Sequence, residues 1–132
     1  MRRLLLAEDD RDLRELLSAI LEADGATVVA VSNGREAMDH LRRDGSGFHA
    51  AILDVRMPLM TGLDVLRESR RLESVVPIVL VTSFADDELR ERARELGAAC
   101  VINKPLDPEH LRQAVGRFAR RAGDAGDDNN GT

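Results

Sequence analysis

Five short apolar runs constrain this chain more than any other feature. They occupy residues 4–7, 28–31, 50–53, 78–81 and 98–102, and each is continuous rather than alternating. A strand with one wet face alternates apolar and polar residues; a strand covered on both faces of a parallel sheet does not. Parallel strands need crossovers of a dozen residues or more, and the segments between the runs have helical periodicity. Leu13, Leu16, Leu17, Ile20 and Leu21 follow the i, i+3, i+4, i+7, i+8 stripe, and Leu111, Ala114, Val115, Phe118 and Ala119 repeat it. Leu89, Ala93 and Leu96 form a shorter stripe, and Ala37, Met38 and Leu41 a weaker one. Asp107-Pro108-Glu109 reads as an N-cap, a first-turn proline and an acid. Asn33 followed by Glu36 resembles a capping box, and Gly25, Gly45 and Gly97 stand where helices should stop. The pattern is β-α five times over, which predicts an open three-layer α/β sandwich.

Composition narrows the function classes. A length of 132 residues fits one domain, with 43% hydrophobic and 33% charged residues typical of a globular chain. No apolar run approaches the ~18 residues of a membrane span, so neither a membrane helix nor a secretory signal is expected. Cys100 is the single cysteine, which excludes an internal disulfide and a cysteine-rich zinc site, and the expected compartment is the cytoplasm. A net charge of −5 and an aromatic content of 2% argue against direct nucleic-acid binding. Residues 1–122 are read as the domain, and 123–132, rich in Gly and Asp, as a disordered tail or the start of a linker.

Polar residues collect at the ends of the apolar runs. Glu8, Asp9 and Asp10 follow the first, Asp54 the third, Thr82 the fourth and Lys104 the fifth. In a parallel sheet these positions share one edge, where open α/β sheets bind ligands. Taken singly they have plainer readings. An acidic cluster after a strand is also a solvated helix N-terminus, and Asp54 is also a turn residue before Pro58. Lys104 is harder to set aside, because the other 18 basic residues are all Arg and a compact ammonium has been kept at one strand end. Clustered carboxylates need a cation; an all-oxygen site with room for water and a phosphoryl group suits Mg²⁺. The chemistry suggested is attack by Asp54 on phosphorus to give an aspartyl phosphate.

With these residues in view, the chain resembles the receiver domains of bacterial two-component response regulators, of the chemotaxis-regulator kind. The matching segments are LLLAEDD at 4–10, ILDVRMPLMTG at 52–62, IVLVTS at 78–83 and NKP at 103–105. The resemblance implies a flavodoxin-like (βα)5 fold with sheet order 2-1-3-4-5. It implies that Asp54 is the phospho-acceptor and that Asp9 binds Mg²⁺ directly. Glu8 would act through water, and the backbone carbonyl of Arg56 would supply a further ligand. Thr82 would be the switch hydroxyl, Lys104 the phosphoryl-binding ammonium, Gly62 a turn glycine and Pro105 the second residue of a cis peptide. The implied partners are a sensor histidine kinase or histidine phosphotransfer protein and an unidentified downstream protein.

Where a family aromatic usually reports the switch, three positions before the lysine, this chain has Val101. Valine is too short and stiff for a large rotamer swing, so the loop at 83–87, with Phe84, is expected to respond instead. Ala98-Ala99-Cys100-Val101 and Lys104-Pro105-Leu106 lack the charges that pair in dimers of relatives with winged-helix domains, so a monomer or weak dimer is expected. An aspartyl-phosphate phosphatase of the haloacid-dehalogenase type is the remote alternative. Arg56 stands where its second Asp belongs, and 132 residues leave no room for a cap domain. A degenerate receiver that only binds partners conflicts with an intact Glu8, Asp9, Asp54, Thr82 and Lys104. The chain is either a free-standing receiver or a piece of a longer regulator or hybrid kinase. His40 and His110 lie on predicted helices with no metal-ligand partner at i+3 or i+4, His49 is read as a surface or loop residue, and Cys100 as a small core residue.

Overall fold

A computed structural model describes residues 2–44 and 47–120. Five strands and five helices alternate: β1 (Arg3–Ala7), α1 (Arg11–Ala23), β2 (Thr27–Val31), α2 (Gly34–Asp44), β3 (Ala50–Asp54), α3 (Gly62–Arg71), β4 (Ile78–Thr82), α4 (Asp87–Glu95), β5 (Cys100–Asn103) and α5 (Pro108–Phe118). All strand pairings are parallel, in the order β2-β1-β3-β4-β5. The flavodoxin-like topology expected from the sequence is therefore present. No helix among the described residues is long and apolar enough to cross a membrane.

The continuous apolar runs resolve into two interleaved faces, because successive strand side chains point to opposite sides. Leu5, Ala7, Ala51, Leu53, Ile78 and Leu80 pack with α2 and α3 through Ala37, Met38, Leu41, Val65 and Leu66. Leu4, Leu6, Ala50, Ile52, Val79 and Val81 pack on the other side with α1 and α5 through Leu17, Leu21, Leu111 and Val115. Burial on both faces holds throughout β3 and β4 and fails at the sheet margins. In β2 only Val31 is buried, and in β5 only Ile102. These are edge strands with a neighbour on one side only. Ala98 and Ala99 fall before β5, and Cys100 is half-buried rather than a core residue. Leu16 is also displaced from the expected core, at 56% exposed. It lies about 100° around the helix from buried Leu17, on the shoulder of the stripe.

Helix ends follow local chemistry. Asp10 caps α1, its Oδ1 accepting from Leu13 N at 3.1 Å. Asp107 caps α5 with Pro108 in the first turn. Asn33 Oδ1 accepts from Glu36 N at 2.8 Å, while the Glu36 carboxylate accepts from Ser32 N rather than from Asn33, so the expected box closes one residue early. A complete capping box stands on α3, between Thr61 and Asp64. The two Thr61 bonds hold the Asp64 carboxyl below its usual range, the backbone bond contributing most. Gly25 and Gly97 adopt φ of +97° and +86° at helix ends, as their positions predict. The expected stop at Gly45 and the tail at 123–132 lie outside the described residues.

Candidate functional site

The parallel register brings the ends of β1, β3, β4 and β5 to one edge. Ala7 pairs with Leu53, Asp54 with Val81 and Thr82 with Asn103, so residues just beyond these pairs meet in space. Glu8 (2% exposed), Asp54 (5%) and Thr82 (2%) are buried polar groups, and a buried charge needs partners. Lys104 supplies them. Its Nζ donates to Glu8 Oε1 and to Asp54 Oδ2, both at 3.1 Å.

The remaining oxygens are tied to backbone. Glu8 Oε2 accepts from Asp10 N at 3.0 Å and Asp54 Oδ1 from Arg56 N at 3.3 Å. Asp9 is exposed at the mouth, and Glu8, Asp9 and Asp54 each bring an oxygen within 4.8 Å of the other two. Three carboxylates and one ammonium leave a charge deficit of −2, the right size for one divalent cation. Oxygen-only donors with an exposed mouth suit a hard ion that keeps some of its water. Burial, reinforced by the Asp54 charge, pushes Glu8 up to about 6 despite the bonds from Asp10 and Lys104. Burial opposes the charge on Lys104, yet the bonds and charges of Asp54 and Glu8 outweigh it and push the ammonium up.

The expected acidic group is thus assembled, with one exception: Asp10 faces α1 as its cap instead of the pocket. Thr82 lies one strand away, and its Oγ1 accepts from Phe84 N at 3.2 Å. Backbone links the two halves, through Lys104 N to Thr82 O at 2.7 Å and Val55 N to Val81 O at 2.8 Å. Phe84 is 65% exposed. Val101, half-buried, packs against the α2/α3 side of the sheet. Arg56 is exposed beside Asp54, and Lys104-Pro105 is cis.

The loop between β3 and α3 is squeezed from two sides. A Cβ on Gly62 would lie 2.5 Å from the Asp54 carbonyl oxygen, and one on Gly34 would lie 2.0 Å from the Met60 carbonyl oxygen. Gly62 is therefore required by close approach rather than by a turn dihedral. Leu59 between them has φ of +73°, spanned by a Met60 N to Pro58 O bond of 2.8 Å, which makes a γ-turn.

Sequence reasoning missed three residues here. Arg14, on α1, reaches back so that its Nη1 donates to Glu8 O at 2.9 Å and holds the acidic loop from behind. Its spacing one turn past the cap Asp10 was the available signal. Gly34 left no signal, because its partner Met60 is distant in sequence. Asn103, inside a recognised motif, carried no separate role, yet its Oδ1 accepts from Ala85 N at 3.2 Å.

The profile of the family described as response regulator receiver domain matches residues 4–116. A CpxR homolog, a transcriptional regulatory protein of Haemophilus influenzae, is 35% identical over 122 residues, covering 92% of this chain and 52% of that protein. The C4-dicarboxylate transport transcriptional regulatory protein DctD of Rhizobium meliloti is 37% identical over 112 residues, or 85% of this chain and 24% of the relative. The chain thus spans about half, or less, of the length of these relatives. Among solved structures, the chemotaxis protein CheY4 of Vibrio cholerae superposes with a TM-score of 0.82 at 28% identity, covering 89% of this chain and 98% of the other.

Proposed function

Because this chain belongs to the response regulator receiver domain family, whose members act as phosphorylation-driven switches and bind Mg²⁺ at an acidic pocket, we propose that Asp54 is its phospho-acceptor. The observation carrying this reading is the Lys104 ammonium held 3.1 Å from both Glu8 and Asp54 at a three-carboxylate cluster. An Asp54 oxygen attacks phosphorus, the bond from phosphorus to the donor's imidazole nitrogen breaks, and that nitrogen takes up a proton. Lys104 stays beside Asp54 and pairs with a phosphoryl oxygen as the P–O bond forms, a stabilisation aimed at developing charge. The Thr82 hydroxyl turns toward another phosphoryl oxygen. Asp9 and Asp54 would hold Mg²⁺ directly, with the Arg56 carbonyl, and Glu8 through water. The ion supplies charge neutralisation and in-line orientation for phosphoryl transfer.

The chemistry ends at the chain's own carboxylate, with self-phosphorylation and self-dephosphorylation as its only reactions. The donor is a histidine kinase or phosphotransfer protein in the cytoplasm, and the recipient of the signal is another protein. With a net charge of −5 this chain is a poor nucleic-acid ligand, so DNA contact in a longer regulator would fall to a different segment.

Incubation with acetyl phosphate and Mg²⁺, read by intact mass, tests the assignment. One phosphoryl group should be added, none in EDTA and none to Asp54→Asn. Undiminished labelling of that variant overturns it.

A further inference from the structure

The loop following β4 has two consecutive backbone N–H groups held by side chains from different strands. Phe84 N–H donates to Thr82 Oγ1, and Ala85 N–H to Asn103 Oδ1, each at 3.2 Å. Thr82 and Asn103 are themselves register partners at the ends of β4 and β5. One residue further, Asp86 caps α4, its Oδ1 accepting from Leu89 N at 2.9 Å. The path from the site into α4 therefore runs through three hydrogen bonds in series.

We propose that Asn103 is a positioning residue for the switch, an amide latch that limits how far the β4–α4 loop follows Thr82. The inference rests on the Asp54 reading, in which Thr82 turns to a phosphoryl oxygen. When its hydroxyl turns, the first of the three bonds is lost and Phe84 N–H is freed. The second bond is anchored on β5, whose backbone is fixed to β4 through Lys104 N to Thr82 O. It does not turn with Thr82. Ala85 then becomes the pivot: residues 83 and 84 move, while the α4 cap at Asp86 keeps its place. Val101 cannot play this part, because its side chain has no polar atom and packs into the sheet's apolar layer. Asn103 is exposed, so its bond competes with water and sets a bias rather than a lock. Removing a bias of that kind shifts populations only by the lost difference in contacts.

Amide hydrogen exchange and backbone NMR on the full chain test this, with and without Mg²⁺ and beryllofluoride as the phosphoryl mimic. Asn103→Ala should speed exchange at Ala85 by about fivefold, the scale of one net hydrogen bond, and leave β3 unchanged. Beryllofluoride-dependent shifts confined to 82–85 in the parent chain should extend past Asp86 into α4 in that variant. Asn103→Asp retains an acceptor oxygen and should restore Ala85 protection, which simple loss of packing would not. Equal Ala85 exchange in the parent and Asn103→Ala chains overturns the latch, as do superimposable beryllofluoride responses. No beryllofluoride response in the parent chain overturns the Asp54 reading itself and removes the latch's role in switching.

Discussion

The two halves of the sheet's carboxyl edge are built to opposite ends. On the β1/β3 side, buried carboxylates share one ammonium at 3.1 Å, and the adjoining loop is pressed between two glycines. On the β4/β5 side, apart from the Lys104 ammonium that reaches across, the side-chain contacts are neutral, involve exposed Phe84 and Asn103, and measure 3.2 Å. Charge-assisted bonds among buried groups are roughly twice as strong as neutral ones, and low local dielectric strengthens them further. One half holds a geometry and the other is free to change it. A switch needs both, since a binding event shifts an equilibrium only where two states compete within a few kcal/mol.

The comparison breaks most readily at Gly62. An alanine Cβ placed 2.5 Å from the Asp54 carbonyl oxygen has no flexible neighbour to displace, so Gly62→Ala should cost about 3 kcal/mol, the upper end of overpacking. Urea denaturation checks this; a loss below that of Asn103→Ala would show the glycine clamp to be unimportant.

Glu8 gives the next effect, with a defined sign. Its carboxyl rises from 4.5 to about 6 on folding, so the folded state holds the proton more tightly than the unfolded one. The resulting penalty is absent below pH 4.5 and complete above pH 6, and amounts to about 2 kcal/mol. In EDTA, Glu8→Gln should therefore match the parent chain at pH 4 and exceed it in stability by about that amount at pH 7. A gap independent of pH would contradict this account.

Metal binding sharpens the same half. Asp9→Ala should weaken Mg²⁺ by about tenfold or more, equivalent to about 1.4 kcal/mol, and Glu8→Ala by less if, as proposed, Glu8 reaches the ion through water. Equal losses in a calorimetric titration would reverse that ranking. The smallest effect concerns the soft half: with beryllofluoride, backbone shifts should be larger across Thr82–Phe84 than at Val101. Equal changes would mean that a short β-branched side chain reports the switch after all.

Much of this is legible in the sequence. Continuous apolar runs meant a parallel sheet, and a parallel sheet meant that Glu8, Asp54, Thr82 and Lys104 share an edge. Chain-local signals such as Asp107 and Gly97 also kept their meaning. What escaped were properties that belong to neighbours. Edge position exposes Ala30 and leaves Val28 and Val29 half-buried although their run looks like the others, and one shoulder of α1 leaves Leu16 in water. Asp10 belonged to the acidic cluster by sequence and to a helix cap by geometry. Asn103 and Arg14 act through single atoms on backbone elsewhere, which residue type alone does not encode.

The ammonium shared by two carboxylates has a consequence for biosynthesis. Its partners precede it by 96 and 50 residues, so the pocket exists only when the last strand has joined the sheet. At a ribosomal pace of about 5–20 residues per second, Glu8 is made roughly 5–20 s before Lys104. Throughout that interval the acids lack the charge that lets them be buried together. On the proposed reading, a nascent or partly unravelled sheet would therefore be a poor phosphoryl acceptor, and a kinase would find its substrate only once the five strands are assembled.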